Sequence, residues 1–340
     1  MTKFLNILFD ILKLFKPDPL TYIGIVIFSA GLTFDYFLGF SYKDGNYIIN
    51  VKTDSTSIFS YMLITVGLVL LVKRYFSLSK KRNILFYGKG LSNMDYKSPS
   101  DFISFFNRPS TDPILFKIND SYSSDEVNSK YICYKQLVED RAINGMVDII
   151  YLGALGSFPY LYLIGSLFRD GYSDKLQLLD YERGKSKWYI LPKYKSEDIK
   201  HELMYQNENT TIEDELERIS EFDDVGIALS YTFKIEKNTI IESFRDKTLF
   251  LRLSSGFGHD NLSNIEVQTD LMKKVSGYIS RLSGGKKKVH LFVSAQASVC
   301  LNLGRFYMNN SHGKIVLHNY DHSSKSYNWS ITYEKGNIQA

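Results

Sequence analysis

Hydrophobic residues in this chain gather into unbroken runs rather than spreading evenly. The two longest stand near the amino terminus. Residues 20–40 are apolar almost throughout, with Asp35 the only charge, and residues 57–72 carry no charge at all. Both runs are apolar around the whole helix rather than along one stripe, and about 20 such residues cross a bilayer core. The pattern therefore predicts two transmembrane helices, over 20–40 and 56–76. Lys3, Lys13 and Lys16 precede the first, and Lys73, Arg74, Lys80, Lys81 and Arg82 follow the second. The intervening loop balances Lys43 and Lys52 with Asp44 and Asp54. By the positive-inside rule both termini face the cytoplasm. Residues 3–16 alternate as an amphipathic helix on that same face, ending before Pro17 and Pro19. Asp35, about a turn and a half from the end of its span, reads as an interfacial carboxylate.

Further along, shorter apolar runs repeat in order. DIIYLGALGSFPYLYLIGSLF (148–168) and KLQLLDYERGKSKWYIL (175–191) align with KVHLFVSAQASVCLNLGRFYM (288–308) and KIVLHNYDHSSKSYNWSI (314–331). Gly165 matches Gly304, Lys175 matches Lys314, and Asp180-Tyr181-Glu182 matches Asn319-Tyr320-Asp321, all at an offset of 139. Each copy reads as strand, small-residue loop, helix, strand and a further short strand. The leading runs, 147–152 and 289–293, are continuous enough for strands covered on both faces. Between the copies, 225–231 and 249–253 read as strands and 268–282 as a helix, with a solvated helix inside the acidic stretch 196–224. Residues 83–145 read as a connector, with a helix over 130–143 ending at Asn144-Gly145. The whole is α/β: two open Rossmann-type units behind a membrane hairpin, each with a ligand edge at its strands' carboxyl ends.

That edge supplies the candidate binding residues. Small residues after a strand let a ligand approach the backbone, and the following helix start offers free N–H groups to an anion. The first loop contributes Gly153, Leu155, Gly156, Ser157, Phe158 and Tyr160. The second contributes Ser294, Gln296, Ala297 and Ser298, joined by Tyr320 and His322 from the following strand. Tyr231 ends a strand between the copies, and SSGFGHD (254–260) adds Ser254, Phe257 and His259. Aromatic faces such as Phe158, Tyr160, Trp188, Tyr320 and Trp329 are places where bases stack, at about 1–3 kcal/mol each. Singly, each of these aromatics reads as a core residue, so the loops 153–160 and 294–300 carry the expectation.

Composition narrows the function. A net charge of +4 on 340 residues is too mild to hold a DNA or RNA polymer by bulk electrostatics. Cys133 and Cys300 stand at no metal or redox spacing, which fits a reducing compartment. Of six histidines, His312, His318 and His322 are the closest set, but no cysteine or carboxylate joins them at metal spacing, and His318 and His322 read as surface positions. No phosphate-loop or nucleophile-elbow string occurs, and Gly284-Gly285-Lys286-Lys287-Lys288 lacks the phosphate-loop spacing. The expectation is a binding protein with no catalytic residue, metal or cofactor. The alternative is a membrane-anchored enzyme that cleaves its ligand with Ser157, Ser298 or His259.

The carboxyl-terminal block HLFVSAQASVCLNLGRF, KIVLHNYDH and YNWSITY resembles the SAVED domain of bacterial CBASS anti-phage systems. The resemblance covers residues 146–335, and with two spans before it the chain resembles the transmembrane SAVED effectors. It implies two fused CARF-like Rossmann units over 146–340, preceded by a membrane module at 1–82 and the connector at 83–145. It also implies a cyclic oligonucleotide ligand, often a cyclic trinucleotide, made by a partner CD-NTase-like nucleotidyltransferase. Ligand binding would drive homo-oligomerisation, and the membrane module would then disrupt the inner membrane's lipid bilayer. The ring-nuclease alternative stays open beside it, as does a tethered sensor that signals through a partner protein.

Overall fold

The computed structural model describes residues 24, 27, 37–43, 46–52, 58–79, 83–90, 98–103, 113–117, 123–143, 147–169, 172, 174–193, 202–206, 210–259, 261–284 and 287–339. The chain forms two compact units, 1–81 and 82–340.

In the first unit, Gly24 and Ile27 are helical. Phe37–Lys43 (β1) and Asn46–Lys52 (β2) form an antiparallel hairpin, with Tyr42 opposite Tyr47. Residues 37–40, the end of the expected first span, are strand rather than helix. Aromatic residues that match a transmembrane composition also suit a strand, and composition alone does not separate the two. Ile58–Ser79 (α1) occupies the place of the second predicted span. Among the described residues, no helix is long and apolar enough to cross a membrane. Tyr61, Met62, Val66, Leu68, Val69 and Val72 of α1 are nonetheless exposed. Asp35 and the amphipathic segment 3–16 lie outside the described residues.

The second unit holds two sheets. Its first part contributes Asn83–Lys89 (β3), Ile114–Phe116 (β4), Ser124–Val138 (α2), Ile149–Leu155 (β5), Phe158–Ser166 (α3), Leu176–Glu182 (β6) and Lys187–Ile190 (β7). Then come Leu203–Tyr205 (β8), Ile212–Ile219 (α4), Asp224–Ser230 (β9), Thr248–Leu253 (β10) and Ile265–Leu282 (α5). Lys288–Ser294 (β11), Ala297–Arg305 (α6), Lys314–Asp321 (β12), Ser326–Glu334 (β13) and Asn337–Gln339 (β14) close the chain. One sheet runs β4-β3-β5-β6-β7 and the other β14-β13-β12-β11-β9-β10-β8. In each, the inner strands are parallel and the final hairpin is antiparallel.

The segment 83–145 is more than a connector. β3 lies between β4 and β5 in parallel register, and all but its last residue are buried. NILFYGK is an apolar run of the kind that forms a doubly covered strand. The α2 helix starts earlier than its periodicity predicts, because Ser123 and Glu126 make a reciprocal capping box. In α5, Gln268, Leu271, Met272, Val275, Ile279 and Leu282 bury one helical face, and Asn264 caps its start by accepting from the Glu266 and Val267 N–H groups.

The duplication is structural as well as sequential. β5 begins at 149 and β11 at 288, α3 at 158 and α6 at 297: each pair is 139 apart. The two helices cross at the matched glycines. A Cβ on Gly165 would collide with the Leu301 carbonyl, and one on Gly304 with the Tyr162 carbonyl. Leu301 and Tyr162 are themselves 139 apart, so the crossing is a reciprocal pseudo-two-fold contact of backbone on backbone. Buried side chains of α3 and α6 join those of both sheets in one core.

Candidate binding site

Where the two copies meet, their loops enclose a cavity of about 450 Å³. The walls come in matched pairs, each 139 apart: Leu155 with Ser294, Gly156 with Ala295, Ser157 with Gln296, Phe158 with Ala297, and Leu161 with Cys300. The strand ends add Asp180 with Asn319, Tyr181 with Tyr320, and Arg183 with His322. The loop after β9, from Thr232 to Ile235, and His259 complete the wall together with Val293, Thr239 and Tyr327.

Backbone hydrogen bonds place these parts. The Ser294 carbonyl accepts from the Tyr231 and Thr232 N–H groups at 2.8 and 2.9 Å, and its hydroxyl accepts from the Phe233 N–H at 3.0 Å. The Tyr231 carbonyl in turn accepts from the Gly258 N–H and the Asn261 side-chain amide, both at 3.1 Å. That bond carries the His259 loop to the rim, where the imidazole meets Phe233 edge-on with ring centres 5.0 Å apart.

A buried polar network ties one copy to the other. Asp180, 2% exposed at the end of β6, accepts at Oδ2 from the Ser298 hydroxyl at 2.6 Å and from the Gln296 amide at 2.7 Å. The Gln296 amide also reaches the Leu262 carbonyl at 2.9 Å, while its Oε1 accepts from the Leu262 N–H at 3.2 Å. Buried Gln268 donates to Ser298 at 2.8 Å and to the Leu262 carbonyl at 2.6 Å.

The cavity's chemistry follows from its lining. Both α3 and α6 begin at its wall, and their N-cap residues Ser157 and Gln296 make no side-chain cap bond. Two helix starts favour negative groups there. Arg183 and Lys234 are cationic, and Phe158, Tyr181, Phe233, Tyr320 and Tyr327 present rings. The Cys300 thiol is pushed far up by burial and by the nearby Asp180, so it is held protonated. Just past Tyr320, Asp321 is lowered to about 2 by hydrogen bonds from the Ser323 side chain and backbone and from Ser324, which keeps its carboxylate ionised. This set suits a ligand carrying both anionic and planar groups.

Of the residues expected from the sequence, the structure brings ten to the cavity: Leu155, Gly156, Ser157, Phe158, His259, Ser294, Gln296, Ala297, Tyr320 and His322. Six lie elsewhere. Gly153 sits inside β5 against Leu179 and Trp188. Tyr160 is buried and donates to the Phe116 carbonyl at 2.9 Å. Tyr231 turns its ring into the core, Ser298 is wholly buried beneath the wall, and Ser254 accepts from the Glu202 N–H at 3.0 Å. Phe257 is exposed away from the cavity. Trp188 and Trp329 pack in or against the core, and His318 is buried, not a surface residue. Asp180, Tyr181, Arg183 and Asn319 were absent from the expected set. Their signal was available: the repeat alignment itself pairs Asp180-Tyr181 with Asn319-Tyr320. Among the described residues, no group of three or more His, Cys, Asp or Glu is placed to hold a metal ion.

Residues 134–332, more than half of the chain, match the family described as the SMODS-associated and fused to various effectors sensor domain, SAVED. The chain belongs to the SAVED family. Both repeats, and thus the whole cavity wall, fall within the matched SAVED region. No curated protein matches the chain. Among solved structures, it is similar to the Acinetobacter baumannii Cap4 SAVED/CARF-domain containing receptor with the cyclic trinucleotide 2'3'3'-cAAA, at 12% identity and a TM-score of 0.49, covering 83% of this chain and 60% of that one. The same receptor with 3'3'3'-cAAA gives 14% identity and 0.48, again over 83% and 60%. The Moraxella osloensis Cap4 SAVED/CARF-domain containing receptor gives 12% and 0.44, over 82% and 58%. The SAVED chain described here thus spans about three fifths of the length of those receptors.

Proposed function

We propose that this chain is a sensor of CBASS anti-phage signalling that binds a cyclic oligonucleotide, a cyclic trinucleotide first among them, in the cavity between its two repeats. The observation that carries the reading is the matched-pair wall: two copies of one strand-loop-helix unit, fused in one SAVED domain, offer two helix starts and paired aromatic residues to a single ligand. A ring of nucleotides presents several phosphates and several bases, which is the combination this wall suits. The ligand would come from a CD-NTase-like nucleotidyltransferase, and binding would assemble copies of the chain. The apolar runs at 20–40 and 57–72 support a membrane-embedded effector at the cytoplasmic face of the inner membrane, which disrupts the bilayer once copies are gathered by ligand. Ligand recognition, rather than turnover, is the role assigned to the cavity.

The test is thermal unfolding of the full chain in detergent micelles with cyclic di-, tri- and tetranucleotides. A ligand at a hundredfold excess over its dissociation constant should stabilise the domain by about 2.7 kcal/mol. No shift with any member of the panel would sink the sensor reading. Recovery of linear product from the same incubations would replace it with the ring-nuclease reading.

A further inference from the structure

The two copies match at the cavity wall, but one cross-copy contact has no mirror image. In the first copy, Asp180 is nearly inaccessible and accepts two hydrogen bonds from the second copy, through Gln296 and Ser298. The mirror-related contact would join Asn319 to Ser157 and Pro159, the residues 139 positions before Gln296 and Ser298. Pro159 has neither a hydroxyl nor an N–H, so the bond that Ser298 makes has no counterpart there. Asn319 instead lines the cavity half-buried, and its side chain has no hydrogen-bond partner among the described residues.

We propose that Asp180 is a positioning residue that latches one side of the cavity, fixing Gln296 and the start of α6, while the opposite side at Asn319 is left open to the ligand. The latch reaches beyond two residues. Gln296 also pins Leu262 by both its N–H and its carbonyl, and Gln268 closes the ring from α5 to Ser298. The rigid side thus includes the loop that follows His259. The consequence rests on the reading above: a ligand would meet a preformed wall on the Gln296 side and adjust its fit on the Asn319 side. The latch itself is a property of the ligand-free protein and is tested there.

Cys300 provides the probe. It lines the cavity one turn beyond Gln296, it is 2% exposed, and Cys133 is exposed in the same chain as an internal reference. Full-length protein in detergent is alkylated with iodoacetamide, and the two cysteine peptides are followed by mass spectrometry. Asp180→Ala should raise the Cys300 rate relative to Cys133 by about tenfold or more above its value in Asp180→Asn, the factor that losing two ordinary hydrogen bonds amounts to. Asp180→Asn keeps an accepting oxygen but removes the charge that helps hold the Cys300 thiol protonated, so it is the reference for that charge effect, and Asn319→Ala should leave the wild-type rate unchanged. Gln296→Ser, which installs the first copy's residue, should move it in the same direction as Asp180→Ala and serves if that variant fails to fold. An Asp180→Ala rate no higher than that of Asp180→Asn, an unchanged rate in Gln296→Ser, or an equal rise in Asn319→Ala overturns the proposal. So does hydrogen exchange that quickens as much in central strand β9 as at 296–300, because that is general loosening. No ligand enters these measurements, so the sensor reading can fail by its own test while the latch stands or falls by this one.

Discussion

His290 and His318 face each other on neighbouring strands with ring nitrogens 2.8 Å apart, stacked among Phe244 and Phe292. Burial pushes the first down to about 4 and the second to about 3, the second helped by its neighbour. Burial likewise lowers His312, which sits against Ser276, to about 4. All three are held neutral when folded, whereas an unfolded histidine takes a proton below about pH 6.5. Between about pH 6.5 and 4 the unfolded chain therefore binds more protons, and stability falls as pH falls through that window. The fall is at most roughly 1.4 kcal/mol per pH unit for each histidine. Urea unfolding between pH 7.5 and 5 should show this slope, and His318→Gln should flatten it; a slope unchanged by that substitution would refute the assignment. At the cavity, Asn319→Asp would place a like charge beside an anionic ligand and should weaken cyclic trinucleotide binding by about tenfold or more, a change readable by calorimetry. The histidine types were visible in the sequence, but their burial was not: the partners of His318 come from β11 and β13, and His290 adds Phe244, which lies before β10.

At the scale of elements, the contact that organises the fold is the crossing of α3 and α6. Glycine to alanine inside a helix ordinarily gains about 1 kcal/mol in propensity. Here the sign reverses, because each added methyl group would enter the opposite helix's backbone and the helices would have to part. Gly165→Ala and Gly304→Ala should each cost about 1–3 kcal/mol, measured as a lower urea midpoint at constant slope. A neutral or stabilising result for both would show that the crossing yields easily. The matched glycines were legible as part of a repeat, yet sequence alone gave no reason for them. The reason is the pseudo-two-fold axis, which sets each glycine against its partner helix's carbonyl. The connector reading of 83–145 did not include its strands for a related cause: β3 is a short apolar run between loops, and only pairing with β4 and β5 makes it a central strand.

For the whole molecule, the proposed function would require sensing in the second unit to be coupled to an action of the first. The exposed apolar side chains of α1 are the kind of surface that needs an apolar partner, lipid or protein. On the proposed reading, permeabilisation would require several copies gathered by ligand. Full-length protein in dye-filled liposomes should leak only after a cyclic oligonucleotide is added. Leakage of equal extent without ligand would defeat the gating claim, and no leakage under any condition would favour a tethered sensor acting through a partner.

The duplication, the order of strands and helices within each copy, and the loops that form the cavity wall were all legible in the residues alone. These are local properties: apolar runs, small-residue loops and a constant offset survive without knowledge of what packs against what. Which loop residues face the cavity came from tertiary structure, because neighbouring positions point to opposite faces on a strand and turn by about 100° on a helix, and the packing partner selects among them. Packing hid Tyr160 under Phe116, buried Ser298 beneath the wall, and brought Asp180 and Asn319 to equivalent places with opposite surroundings. The break in symmetry needs both copies in contact, since Pro159 and Ser298 differ in consequence only against the strand ends they meet.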